Sequence, residues 1–342
     1  MSSMITLDDI DFNVYLHETD NSTKVKTAQT WMEDLIHDLR NPDKTQTWME
    51  DLIHDLRNPD KTRKIFMPWE KTTNDFCFRP GEVTLWAGQN GHGKSMVTSQ
   101  IAMSLMGQDQ KVCIASFEMK PTTTLSRMAR MYAGTNPFSE EYQSSEGVEA
   151  LASLYKEFGE WSDNKLWLYD QQGTVNQDQI ISVARYCAKK LAVTHFFIDS
   201  LMKCSKGEDD YNGQKNFVDE LTALARDNQI HIHLIHHMKK PAGGEYQVCG
   251  KYDAKGSGAI SDLVDNFFVV HRNKEKSDDI ENKGMASLKK NEADAFLICR
   301  KQRNGEGEPK FLLWFDRDSQ QYLGSPNDSL MFFPNFPHKP SL

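Results

Sequence analysis

The run Gly88-Gln89-Asn90-Gly91-His92-Gly93-Lys94-Ser95 fits the pattern GxxxxGK[ST], in which glycines let successive backbone N–H groups turn toward phosphate oxygens. Lys94 is spaced to reach the β and γ oxygens of a nucleoside triphosphate, and the Ser95 hydroxyl to ligate Mg2+. A helix beginning at Ser95 adds its dipole to the same attraction. Two acids offer the remaining chemistry. Asp199 closes an apolar run, His195-Phe196-Phe197-Ile198, where a metal-orienting carboxylate belongs at the carboxyl edge of a parallel sheet. Glu118 closes the run from Val112 to Phe117, about one crossover after the phosphate loop, and a carboxylate there can take a proton from water attacking the γ-phosphate. Taken alone, Asp199 reads equally well as an acid at a turn, and Glu118 reads as a solvated strand end.

These groups need elements to hold them. Short β-branched and aromatic runs at Val83–Ala87, Val112–Phe117, Leu166–Tyr169, His195–Ile198 and Ile230–Ile235 alternate with helix-length segments. Ser95–Met106 and Thr122–Tyr132 are two of those segments, the second closed by Gly134. The alternation implies an α/β core, a mostly parallel sheet flanked by helices. Further on, Leu263–His271, Ala295–Arg300 and Phe311–Phe315 read as strands with little helix between them, extending one edge of that sheet. His231, His233 and His236 invite a metal reading because alternate residues share a strand face, yet no Cys or acid lies at ligand spacing.

With 342 residues, 38% of them hydrophobic, the chain can bury one large core but not two full-sized enzyme domains. Its net charge of -9 provides no global attraction to nucleic acid, so any such contact must come from local loops. The six cysteines form no CxxC pair, which fits free thiols in a reducing compartment. Neither a secretory signal nor an apolar run of membrane-spanning length is evident, so a cytoplasmic protein that does not engage the membrane is expected.

Gln29–Thr45 recurs unchanged as Gln46–Thr62, each copy reading as one short helix ended by a proline. Trp31, Leu35 and Leu39 give the first copy an apolar stripe that needs something to dock on. Residues 1–62 thus read as an N-terminal extension with a tandem linker helix, residues 63–323 as the main domain, and residues 324–342 as a Pro/Phe-rich tail that is loose or packed on its own domain.

Several segments together resemble the DnaB-type replicative helicases, in particular the helicase part of the phage primase-helicase branch. Phe117–Arg130 (FEMKPTTTLSRMAR) is similar to the family's glutamate segment, and Leu234–Pro241 (LIHHMKKP) to its sensor strand. Asp253–Ile260 (DAKGSGAI) is similar to its DNA-binding loop, and Lys301–Gly305 (KQRNG) to the motif that offers a lysine and an arginine finger to the neighbouring subunit's nucleotide. The resemblance covers roughly residues 63 to 323 and implies a RecA-like P-loop NTPase. It implies roles at each matching position: Glu118 as base, His237 as sensor of the γ-phosphate, and Lys301 and Arg303 acting in trans. Lys239, Lys240, Lys251 and Lys255, with Gly256, Ser257 and Gly258, would hold single-stranded DNA. It further implies ATP or dNTP as substrate with Mg2+, and a homo-oligomeric ring, a hexamer, moving 5' to 3' at a replication fork beside a polymerase or a separate primase. A phage or plasmid protein working in a bacterial host is the setting that follows.

Only about 62 residues precede the core, so priming within the same chain is not expected. The duplicated helix does not belong to the family pattern, and it reads either as a duplication without function or as a longer latch onto the adjacent subunit. A RecA-like recombinase or DNA-dependent regulatory ATPase shares the phosphate loop, the glutamate and the sheet, and is the competing reading; the segments at Asp253–Ile260 and Lys301–Gly305 favour the helicase. A small-molecule phosphotransferase would be a monomer with a lid, against which the Lys301 and Arg303 pair argues.

Overall fold

The computed structural model describes residues 4–5, 64–204, 210–239, 241, 244, 246–250, 253 and 259–335. The duplicated segment at residues 29–62 lies outside the described residues, as do Lys240, Lys251, Lys255, Gly256, Ser257 and Gly258.

Among the described residues, ten strands form one sheet in the order β1-β4-β3-β5-β6-β2-β7-β8-β9-β10. They are β1 Met4–Ile5, β2 Val83–Gly88, β3 Val112–Ser116, β4 Leu166–Tyr169, β5 His195–Asp199, β6 His231–His237, β7 Asn266–Arg272, β8 Ala295–Gln302, β9 Lys310–Phe315 and β10 Tyr322–Leu323. From β1 to β7 every pairing is parallel; the three late strands read from sequence, β7, β8 and β9, do extend one edge, where β8, β9 and the further strand β10 add antiparallel. The helices are α1 Lys94–Gly107, α2 Pro121–Ala133, α3 Ser145–Ser162, α4 Gln177–Leu191, α5 Tyr211–Asn228, α6 Ala259–Leu263 and α7 Lys274–Lys283.

Burial on both faces explains why the central strands read as unbroken apolar runs. Val83, Leu85 and Ala87 of β2 and Cys113 and Ala115 of β3 pack under α4 and α5, through Ile180, Val183, Ala184, Phe217 and Leu221. The intervening Trp86, Val112 and Ile114 face the opposite way onto Val97 and Ile101 of α1 and Met128 of α2. Helix α1 is buried at every residue from Val97 to Met106, because the segment after β10 closes over it. Tyr322 exchanges two hydrogen bonds with Gln100, 2.7 and 2.8 Å long, and Phe333 is fully buried in the same core. The tail, as far as residue 335, therefore packs on its own domain. All six cysteines are free, and Cys113 and Cys299 lie buried in strands.

Two local expectations differ from the structure. Leu263 ends helix α6 and the strand begins only at Asn266. Helix α7, ten residues long, separates β7 from β8, where little helix was expected. Its sequence KEKSDDIENK has no apolar stripe; Asn273 starts it by accepting from Lys276 N, and Lys276 Nζ secures it to Asp294 at 2.7 Å.

The β-strand histidines form a buried polar layer rather than a metal site, and among the described residues no group of three His, Cys, Asp or Glu could hold a metal ion. Trp86 Nε1 donates to His233 Nδ1 at 3.2 Å, so His233 carries its proton on Nε2 and donates to His195 Nδ1 at 3.0 Å. His231 Nδ1 meets the Arg79 carbonyl at 2.7 Å and so is the protonated nitrogen, leaving Nε2 to accept from Thr84 Oγ1 at 2.8 Å. Phe197 stacks on His233 with centroids 3.9 Å apart. Each ring is neutral: burial pushes His231 down to about 4, and it pushes His195 and His233 well below their ordinary value. A depressed folded-state value means that the unfolded chain binds the extra proton, so this stability is whole above the ordinary histidine value of about 6.5 and drains as pH falls toward 4. The melting temperature is accordingly expected to drop by on the order of 5 °C or more between pH 7 and pH 5, measured by calorimetry. His231→Gln, which cannot titrate, should make that drop shallower; an unchanged pH slope would show that the layer does not govern acid stability.

Candidate active site

The chain runs from β2 to β3 past two intervening strands, β5 and β6, and this crossover leaves a crevice at the carboxyl edge of the sheet. The loop from Gly88 to Ser95 lies over the crevice. Gly91 and Gly93 have φ of 75° and 87°, in the left-handed region, which turns the loop's amides inward. A β-carbon on Gly93 would collide with the Tyr322 hydroxyl, and one on Gly88 would come within 2.5 Å of the Val270 carbonyl, so neither position admits a side chain.

An open cleft of about 750 Å³ is bordered by Asn90, Gly91, Gly93, Lys94, Ser95, Glu118, Arg127, Asp199, Lys203 and His237. That volume suits a nucleotide. Lys94 Nζ, buried, lies 3.1 Å from the carbonyls of Gly88 and Gln89 and 3.2 Å from His237 Nδ1. An ammonium can only donate, so His237 Nδ1 accepts and Nε2 bears the proton. That Nε2 lies 3.2 Å from Glu118 Oε1, which also accepts from Ser200 Oγ at 2.7 Å. The direction of the whole line, Lys94 to His237 to Glu118, follows from the one group in it that has no acceptor.

The hydrogen bond from His237 is the main reason Glu118 is held down to about 2, with Ser200 adding to it and partial burial opposing. Asp199 moves the other way, raised by burial, while Ser95 Oγ donates to its Oδ2 at 2.9 Å and moderates the shift. A hydroxyl and a carboxylate thus meet beside the loop as hard oxygen donors. That set fits Mg2+, which takes one or two protein oxygens together with phosphate oxygens and water.

Among the residues singled out from sequence, Lys94, Ser95, Glu118, Asp199 and His237 converge in this cleft. Gln89 and His92, although in the loop, turn their side chains away: Gln89 Nε2 meets Cys249 Sγ, and His92 Nδ1 accepts from the Arg272 amide at 3.2 Å. Burial, reinforced by His271 and nearby cations, pushes His92 down to about 4. Lys301 and Arg303 do not enter the cleft at all. Lys301 Nζ donates to the carbonyls of Ser261, Asp262 and Val264, at 2.6 to 3.1 Å, and Arg303 NH1 pairs with Asp265 at 2.9 Å. Asp265 binds the amide of Val83, at the start of β2, so Arg303 sits at the pole opposite the phosphate loop, about 17 Å away along that strand. Lys239 is exposed and donates its amide to Asp253 O at 2.8 Å; it is the one described side chain among the candidate DNA-binding residues.

Arg127 and Lys203 of the cleft went unnoticed in the sequence, and Ser200, which donates to Glu118, was given no role there. Ser200 follows Asp199 directly, and a hydroxyl next to a strand-end acid was the available signal. Arg127 and Lys203 belong to a helix and a turn whose approach to the cleft has no sequence pattern of its own.

The family model of the DnaB-like helicase C terminal domain matches residues 70–323 of this chain. The DNA helicase/primase of Enterobacteria phage T3 is 26% identical over 212 residues, covering 58% of this chain, and the chain matches only 36% of that curated relative's length. A solved ATPase domain is similar in fold, with a TM-score of 0.66 at 16% identity over 82% of this chain and 99% of that one. A DnaB-like replicative helicase, solved with attention to its interactions with primase, has a TM-score of 0.64 at 17% identity, over 91% of this chain and 74% of that one.

Removing the donor to Glu118 should return that carboxyl to its ordinary range. In His237→Ala the Glu118 value, read from the pH titration of its carboxyl carbon by NMR, should rise from about 2 toward the ordinary 4.5. A value still near 2 would mean that His237 does not set it.

Proposed function

The chain belongs to the family of DnaB-like helicase C-terminal domains, and from that premise we propose that it is the motor of a replicative DNA helicase, hydrolysing ATP or a dNTP to translocate on single-stranded DNA. The observation that carries the reading is the separation of the catalytic groups. Lys94, Ser95, Glu118, Asp199 and His237 share one cleft, whereas Arg303, half-exposed and paired with Asp265, lies at the other end of the sheet. A finger in that position serves a neighbour's nucleotide, so hydrolysis requires assembly. A hexameric ring would meet that requirement by placing each Arg303 against the next subunit's cleft, with Lys301 joining it only on leaving the carbonyls of Ser261, Asp262 and Val264.

Within the cleft the loop amides and Lys94 bind the β and γ phosphates. Ser95 and Asp199 would hold Mg2+, which would neutralise phosphate charge. As the γ-phosphate draws the Lys94 ammonium away, His237 loses its donor at Nδ1 and its hold on Glu118 loosens. Glu118 then orients the attacking water and takes its proton, a task for which a carboxyl held near 2 is a poor base. Phosphate release restores the Lys94–His237 contact, and His237, followed directly by Met238 and Lys239, passes the change to the segment where Lys239, Lys240, Lys251, Lys255, Gly256, Ser257 and Gly258 would grip DNA phosphates. Movement 5' to 3', work at the replication fork beside a polymerase and a separate primase, and a cytoplasmic setting in a bacterial host complete the proposal. Among the described residues no helix is long and apolar enough to cross a membrane. The extension at residues 1–62, with its duplicated segment, would latch onto the adjacent subunit of the ring.

Nucleotide hydrolysis with and without single-stranded DNA, read beside solution mass in Mg2+ and a nonhydrolysable analogue, tests this directly. The expected outcome is DNA-stimulated turnover by an oligomer, lost by at least about a hundredfold in Lys94→Ala with assembly preserved. A monomer whose turnover ignores DNA would overturn the reading.

A further inference from the structure

The turn that carries Arg303 is tied at several points to the first residues of the phosphate-loop strand. Asp265, with its side chain only 5% exposed, is the hub of those ties. Its Oδ1 pairs with Arg303 NH1 at 2.9 Å and has Arg226 NH2 at 3.8 Å. Its Oδ2 accepts from Val83 N at 2.9 Å, and its backbone exchanges with both partners, accepting from Arg303 N and donating to Val83 O, each at 3.0 Å. Next to it the buried Glu82 accepts from Asn304 Nδ2 at 2.6 Å and from Asn266 Nδ2 at 2.8 Å. Strand β2 is central in the sheet and buried at all six residues, which makes it the stiffest reference available to an otherwise exposed turn.

We propose that Asp265 is a positioning residue for hydrolysis in the neighbouring subunit, holding Arg303 in a fixed aim against β2. The inference rests on the reading of Arg303 as a group acting in trans. Arg303 is 45% exposed, and a long side chain so placed samples many rotamers unless one end is held. The buried carboxylate supplies the hold. Being paired on one oxygen and hydrogen-bonded to the main chain on the other, it cannot follow the arginine outward, so the guanidinium pivots about a fixed point. Asn304, fixed by Glu82, keeps the following residue from peeling away.

Asp265→Asn is nearly isosteric, keeping an oxygen for Val83 N while removing the charge that holds Arg303. In the assembled protein with DNA, kcat is expected to fall about tenfold with KM changed less than about twofold, since aim matters at the transition state and not for binding. The decisive comparison is with Arg303→Ala and with the double variant. If Asp265 works through Arg303, the double variant turns over no more slowly than Arg303→Ala alone. A multiplicative loss in the double variant, or a normal kcat in Asp265→Asn, overturns the proposal while leaving Arg303 in its role. An unimpaired Arg303→Ala instead overturns the trans reading itself, and the proposal with it. Should Asp265→Asn not fold, Asn304→Ala decides by the same comparison: a kcat loss of about threefold that vanishes in the Arg303→Ala background supports the proposal, and an unchanged kcat or a multiplicative loss refutes it.

Discussion

The Lys94 ammonium can donate hydrogen bonds but accept none, and the polarity of the whole cleft descends from that asymmetry. Two of its acceptors are carbonyls of the loop that carries it, Gly88 and Gln89; the third is His237 on the adjacent strand. The tautomer of His237 follows, then its donation to Glu118, then the depressed carboxyl. The same ammonium is the group that a γ-phosphate attracts most strongly. In the proposed mechanism, binding substrate and releasing the base would be two consequences of one change of partner.

Such a line works only if its two strands keep register to within tenths of an ångström. β2 and β6 are paired along their whole length, from Val83 with Ile232 to Gly88 with His237. Beneath them the layer of His195, His231, His233, Trp86 and Thr84 fills the sheet's interior face with groups whose protons are all assigned by their neighbours. An apolar layer would pack as densely but could slide; fixed donors and acceptors specify one register. The other end of β2 carries the anchors for Arg303. The strand that ends in one subunit's phosphate loop thus begins at the group proposed for the next subunit's nucleotide.

Much of this was legible in the sequence because it depends on local rules. The loop pattern, the apolar runs ending in Asp199 and Glu118, and the Gly134 stop each reflect a backbone or burial constraint confined to a few neighbouring residues. Legibility failed where a contact joins distant segments. Nothing in the alternation of histidines announced that their partners would be Trp86, Thr84 and a carbonyl at Arg79, and only that pairing decides against a metal. Helix α7 escaped because it is held by capping and by Lys276 rather than by an apolar face. Arg127 and Lys203 border the cleft from segments distant from its loop, Ser200 meets Glu118 across 82 residues of chain, and Asp265 joins Arg303 across 38. The matched family boundary at residue 323 also falls at the end of β10, before the tail that closes over α1.

The central claim is that one active site is assembled from two subunits, and mixing two inactive variants tests it most directly. Lys94→Ala subunits retain Arg303 but cannot engage nucleotide productively, and Arg303→Ala subunits retain the cleft but offer no finger. Co-assembled, they should recover DNA-stimulated hydrolysis well above that of either variant alone, because some interfaces pair an intact cleft with an intact Arg303. Mixtures no more active than the sum of their separate parts, with co-assembly verified by mass, would contradict the account.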